Sequence, residues 1–84
     1  MDPNEIKKLI ENGMPDCDVN VDGDGSHFQA TVVGSVFEGK TPVQKQKLVY
    51  ATLGDKITSG EIHALTIKAY TPTEWETAKK LQIS

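Results

Sequence analysis

One short pattern occurs three times in this sequence and fixes where three helices begin. Residues 2–5 (Asp-Pro-Asn-Glu), 41–44 (Thr-Pro-Val-Gln) and 71–74 (Thr-Pro-Thr-Glu) each place a capping residue before a proline, with Glu or Gln two positions after that proline. The cap accepts a hydrogen bond from an unpaired helical N–H, the Glu or Gln reaches back to the cap, and proline at the first helical position loses no hydrogen bond. The pattern predicts helices that start at Pro3, Pro42 and Pro72.

The spacing of apolar residues predicts which side of each helix faces inward. Gly13 and Gly54 are expected to end the first two helices, and a short helical turn over residues 55–59, closed by Gly60, is expected to follow with Ile57 inward. The predicted inward residues are Ile6, Leu9 and Ile10 in the first helix, Val49, Tyr50 and Leu53 in the second, and Trp75, Ala78 and Leu81 in the last.

Between the helices the apolar residues recur at every second position, which is typical of strands with one buried face. The element order is therefore α-β-β-α-α-β-α. The short first connection predicts an antiparallel hairpin, and the long helical crossover predicts a third strand parallel to the second. The expected fold class is α+β, with a three-stranded mixed sheet and the helices packed on one face. The residues that alternate inward are Cys17, Val19 and Val21, then Phe28, Ala30 and Val32, then Leu65, Ile67 and Ala69.

Length and composition limit the classes of function. Eighty-four residues make one domain, 1–84, with a small core, which favours a binding module or adaptor over an enzyme with its own deep cleft. The single cysteine excludes an internal disulfide and fits a reducing compartment. No segment approaches the roughly 18–20 apolar residues of a membrane span, and the N-terminus lacks a signal-peptide pattern. A soluble cytoplasmic protein is expected.

Residues 18–29 (DVNVDGDGSHFQ) resemble the opening of a calcium-binding EF-hand loop. An EF-hand needs a helix before the loop, whereas the alternation here predicts a strand. It also needs a glutamate at the twelfth position, where this chain has Gln29. The acidic and glycine residues 22–25 are explained better as a turn that joins two strands.

Two histidines, His27 and His63, are the candidate metal ligands. His27 follows the glycine-containing turn and faces away from the core, so a solvated loop histidine is the alternative reading. His63 opens the third strand at the edge of the core face, where a histidine bonded to a backbone carbonyl is the alternative. Their spacing matches no self-contained zinc motif. Cys17 has the parity of a small core residue and is expected to be buried rather than to bind metal.

Three segments together resemble the BolA family over nearly the whole chain. They are Val-Phe-Glu-Gly-Lys at residues 36–40, Leu-Val-Tyr at residues 48–50, and His63 followed by Thr71 and Pro72. The resemblance implies a fold like a class II KH domain. It also implies pairing with a monothiol glutaredoxin and a shared, bridging [2Fe-2S] cluster, to which the glutaredoxin and its glutathione give two thiolates. His63 is then one ligand, and His27 is the candidate for the second, because the loop between the first two strands has no cysteine.

Three other functions remain open. A KH-like fold favours nucleic-acid binding, and Lys40, Lys45, Lys47 and Lys56 cluster around the helical crossover. However, Lys45 and Lys47 point about 200° apart on a helix, the chain has no arginine, and the helix junction lacks the GxxG clamp of KH domains. The second is a module that binds glutaredoxin without a cluster, and the third is a homodimer that holds a cluster between two chains.

Overall fold

The computed structural model of the protein describes residues 2–23, 27–56, 60 and 65–82. The predicted helix and strand order is confirmed. Its elements are α1 (Pro3–Gly13), β1 (Asp18–Gly23), β2 (Phe28–Val33), a 3₁₀ turn (Ser35–Phe37), α2 (Pro42–Leu53), a second 3₁₀ turn (Gly54–Lys56), β3 (Leu65–Tyr70) and α3 (Pro72–Gln82). Ile57 and His63 lie outside the described residues. Within the described residues, no helix has the length and apolar character needed to cross a membrane.

All three helices begin at the predicted prolines. Before α1, the Asp2 carboxylate accepts a hydrogen bond from the Glu5 N–H at 3.0 Å. The second and third caps are reciprocal. In each, the cap hydroxyl accepts a hydrogen bond from a backbone N–H, at 3.2 Å before α2 and 3.1 Å before α3. The backbone N–H of the same cap residue donates to a side-chain oxygen, at 2.9 Å before α2 and 2.8 Å before α3. The paired residues are Thr41 with Gln44 and Thr71 with Glu74.

The sheet has the predicted mixed topology, with β2 in the centre of the order β1-β2-β3. β1 runs antiparallel to β2, and Gly23 lies opposite Phe28. β2 runs parallel to β3, with Phe28 opposite Leu65 and Val33 opposite Tyr70. Residues 18–23 are therefore a strand, as the alternation predicted, rather than the first half of an EF-hand loop.

The core lies between one face of the sheet and the first two helices. Burial of each Val, Leu, Ile, Met or Phe side chain there stabilises the fold by about 1.5–3 kcal/mol. Phe37, in the first 3₁₀ turn, is fully buried and anchors the start of the crossover, although three residues are too few to show a period in the sequence. The other buried residues are Ile6, Ile10, Met14, Val19, Phe28, Ala30, Val32, Val49, Leu53 and Ile67.

Two sequence predictions about the core need correction. Tyr50 was expected to face inward, but it is 37% exposed. The buried stripe of α2 is Lys45, Val49 and Leu53, at a spacing of four, and Tyr50 lies about 100° from that stripe. Cys17 was expected within the first strand, but it lies in the bend just before β1 and is half-buried.

Candidate metal-ligand site at the start of β2 and β3

His27 lies immediately before β2 and is exposed. Its neighbour Phe28 is buried and fixes the chain at this point. Gly23, opposite Phe28, leaves room for that ring, since a Cβ atom at Gly23 would lie 2.5 Å from Phe28 Cδ1. The histidine is thus carried on an anchored strand end while its own side chain faces solvent, which is the orientation that the sequence predicted.

The parallel pairing of β2 with β3 places the first residues of both strands at one end of the sheet. Phe28 pairs with Leu65, and His63 precedes Leu65 by two positions in the sequence. His63 itself falls outside the described residues, so its role as a ligand stays a prediction. The described residues establish that His27 lies at the end of the sheet where both β2 and β3 begin.

Cys17 lies at the opposite end of the sheet from His27. Its Sγ packs against Gly34, just beyond the last residue of β2. The six residues of β2 span about 20 Å at roughly 3.3 Å per residue, so the thiol and the imidazole of His27 do not share a site. Burial raises the pKa of the Cys17 thiol, and the nearby carboxylates of Asp16 and Asp18 raise it further. The thiol therefore stays protonated and poorly nucleophilic near neutral pH.

The four lysines predicted for nucleic-acid binding do not form one surface. Lys45 is buried, and its Nζ donates a hydrogen bond to Glu74 Oε1 at 2.6 Å. This hydrogen bond is the main reason that the pKa of Glu74 is lowered, and the Thr71 N–H adds to the effect. The prediction that Lys45 is a surface cation is therefore wrong, because Lys45 has a structural role. Its partner lies 29 residues away in the sequence, and no sequence pattern links the two residues.

Lys40 and Lys47 are exposed and line one groove beside Gln44. Lys56 is half-buried in the second 3₁₀ turn. Lys40 and Lys47 therefore share a groove, whereas Lys45 contacts α3. The angular separation predicted for Lys45 and Lys47 agrees with their opposite surroundings, since one contacts α3 and the other borders this groove.

These features define a small α+β domain with one sheet face covered by α1 and α2 and an exposed histidine next to a strand end. The sequence model of the BolA-like protein family matches residues 8–74. The chain belongs to the BolA-like family, as the sequence predicted.

Similar proteins cover almost the whole chain. The acid stress protein IbaG of Escherichia coli K12 is 47% identical over 81 residues, which are 96% of each chain. A bolA protein homologue from Coxiella burnetii has a TM-score of 0.80 and 43% identity, covering 90% of this chain and 97% of its own. BolA1 from Mus musculus has a TM-score of 0.76 and 33% identity, covering 98% and 74%. The likeness to a KH domain stays a prediction.

Proposed function

We propose that this protein is an adaptor in iron–sulfur metabolism that pairs with a monothiol glutaredoxin and shares a bridging [2Fe-2S] cluster with it. His63 and His27 are the proposed ligands from this chain. The observation that supports this most directly is the register of the sheet. Exposed His27 precedes Phe28, and Phe28 pairs in parallel with Leu65, two positions after His63.

The donor set of the chain fits half of a cluster site. A [2Fe-2S] cluster takes four ligands, and in Rieske-type centres two imidazoles replace the thiolates on one iron. Within the described ranges, no three His, Cys, Asp or Glu side chains form a group that could hold a metal ion. Two histidines from this chain would therefore need two thiolates from elsewhere, and glutaredoxin and its glutathione supply that number. When bound, the cluster would provide a redox-active and transferable iron–sulfur unit.

The test is reconstitution of the protein with a monothiol glutaredoxin, iron, sulfide and glutathione, followed by visible circular dichroism. We expect a spectrum distinct from that of the glutaredoxin homodimer. His63→Ala should abolish it, and His27→Ala should abolish or change it. Gln29→Ala is the matched control, because Gln29 is exposed in β2 two positions after His27. An unchanged homodimer spectrum with the wild-type protein would refute the shared cluster.

Calorimetry of the two apo proteins measures whether they associate without metal, and so distinguishes a cluster-free complex from a cluster-bridged one. If metal bridges the pair, His63→Ala should remove the cluster spectrum while leaving association of the apo proteins intact. A wild-type complex that forms without metal and never acquires a cluster would instead establish the cluster-free module.

Nucleic-acid binding is the alternative function, and it now rests on Lys40 and Lys47, which share a groove. Substitution of either lysine by alanine should weaken binding to duplex DNA across sequences and reduce the slope of log K against log salt by about 1. Binding without that salt dependence, or unaffected by both changes, would exclude this groove as a DNA site.

A further inference from the structure

β3 is an edge strand whose outer backbone groups can be assigned. Among the described residues it pairs with β2 on one side only. The Gly34 N–H donates to the Tyr70 carbonyl at 3.0 Å, so the backbone of Tyr70 points toward β2. Because successive residues of a strand alternate in direction, Lys68 also points its backbone toward β2, whereas Ile67 and Ala69 point their N–H and C=O groups outward.

Two open grooves border the second half of β3. One, of about 260 Å³, separates β3 from the start of α2 and is lined by Pro42, Gln46 and Ala69, among others. The other, of about 490 Å³, separates β3 from α3 and is lined by Ala69, Thr77 and Ala78, among others. Lys45 borders both grooves. The strand therefore presents outward backbone donors and acceptors next to space for side chains.

The positive charge of Lys68 on β3 indicates which kind of strand can pair with its outer edge. Lys68 is exposed on the sheet face opposite the core. In an antiparallel pairing of two β3 strands around a two-fold axis, the two copies of Lys68 would face each other or lie diagonally, and like charges there are unfavourable. Edge lysines are a common means of preventing self-pairing. A strand with a carboxylate next to Lys68 gains a favourable cross-strand pair instead.

We propose that the outer edge of β3 binds an extended segment of a partner protein as a fourth strand. The segment has an acidic residue beside Lys68 and small apolar residues on the side of Ile67 and Ala69, which faces the α2 groove. Backbone hydrogen bonds give such strand addition its affinity, and alternate side chains give it specificity. This interaction requires no metal, so it is tested on the cluster-free protein and stands or falls separately from the shared cluster.

The experiment selects short random peptides displayed on phage against the immobilised cluster-free protein, then titrates an enriched synthetic peptide into the ¹⁵N-labelled protein by NMR. We expect enriched sequences to alternate acidic and apolar residues. Chemical shifts should change at residues 65–70 and 42–46. Lys68→Glu should weaken binding about tenfold, because an attractive cross-strand pair becomes a repulsive one. Lys8→Glu, on exposed α1 surface, is the matched charge reversal and should have no effect.

A second pair of variants tests the backbone itself. Ala69→Pro removes an outward N–H without removing a bond to β2, and proline is tolerated at such edge positions. Ala69→Ser retains the N–H. Loss of binding in the proline variant alone supports strand addition. Binding that survives both Ala69→Pro and Lys68→Glu, shifts centred elsewhere, or concentration-dependent dimerisation through β3 would overturn the proposal.

Discussion

α1 and α3 are both eleven residues long and both begin with a proline after a capping residue, yet the rest of the molecule holds them differently. In α1, Ile6 and Ile10 are fully buried. In α3, none of the side chains described between Pro72 and Lys80 is buried. A helix-start signal therefore sets where a helix begins, while the residues of its inner face set how firmly it is held.

α3 is attached by two specific contacts in place of an apolar face. The Glu74 carboxylate accepts hydrogen bonds from the N–H of the capping residue Thr71 and from the ammonium group of buried Lys45 in α2. Trp75 packs on Tyr70 of β3, with ring centroids 5.4 Å apart at an interplanar angle of 48°. Both contacts lie in the first turn of α3, so we expect the second half of this helix to open more readily than α1.

The largest expected effect comes from α1. Ile10→Ala should lower the free energy of unfolding by about 2–5 kcal/mol, because it removes a fully buried side chain and leaves a cavity. Urea denaturation followed by circular dichroism measures this loss. The matched change in α3 is Ala78→Gly, because the side chain of Ala78 is only half-buried. Equal losses in the two variants would show that burial does not distinguish the helices.

The next effect comes from the ion pair. Lys45→Met keeps the buried aliphatic stem but removes the donor to Glu74, so α3 should open more often while α1 stays protected. Amide hydrogen exchange of residues 72–80 against residues 3–13 measures the difference. Glu74→Gln retains an acceptor for the Thr71 N–H, so α3 should open less often in this variant than in Lys45→Met. A uniform loss of protection in both helices would contradict a local role for this pair.

The ring contact should contribute less. Trp75→Leu should lower stability by about 1 kcal/mol beyond the change in buried area, as is usual for a tilted aromatic pair. Tyr70→Leu and the double variant complete a mutant cycle, and the coupling energy from urea titrations isolates the ring contact. A coupling energy of zero would assign the effect of each change to burial alone.

The smallest effect is a dependence on pH. The pKa of Glu74 is lowered in the folded protein, chiefly by its hydrogen bond with Lys45, so its stabilising contribution is fully present above its ordinary value of 4.5. That contribution is lost as the pH falls through the lowered pKa. Exchange protection of α3 should therefore hold from neutral pH down to about 4.5 and fall below it. Lys45→Met should remove most of this dependence, and an unchanged profile in that variant would exclude the ion pair as its cause.

The sequence alone determined the element order, the helix starts and the mixed sheet, because caps, prolines and apolar periods act over a few residues. It also predicted the exposure of His27 from its position relative to Phe28. The role of His63 stays a prediction, since that residue lies outside the described ranges. Within the candidate site, sequence could identify the histidines but could not supply the register that pairs Phe28 with Leu65.

Only the tertiary structure decided which residues distant in the sequence meet. Lys45 looked like a surface cation, but α2 packs with this lysine on its buried stripe, where Glu74 of α3 neutralises it. Tyr50 looked like a core residue, but the same rotation of α2 leaves it exposed. The outer edge of β3, which has no paired strand among the described residues, likewise depends on how α2 and α3 pack beside the sheet. Local patterns specify each element, whereas the rotation and partners of an element follow from packing it against all the others.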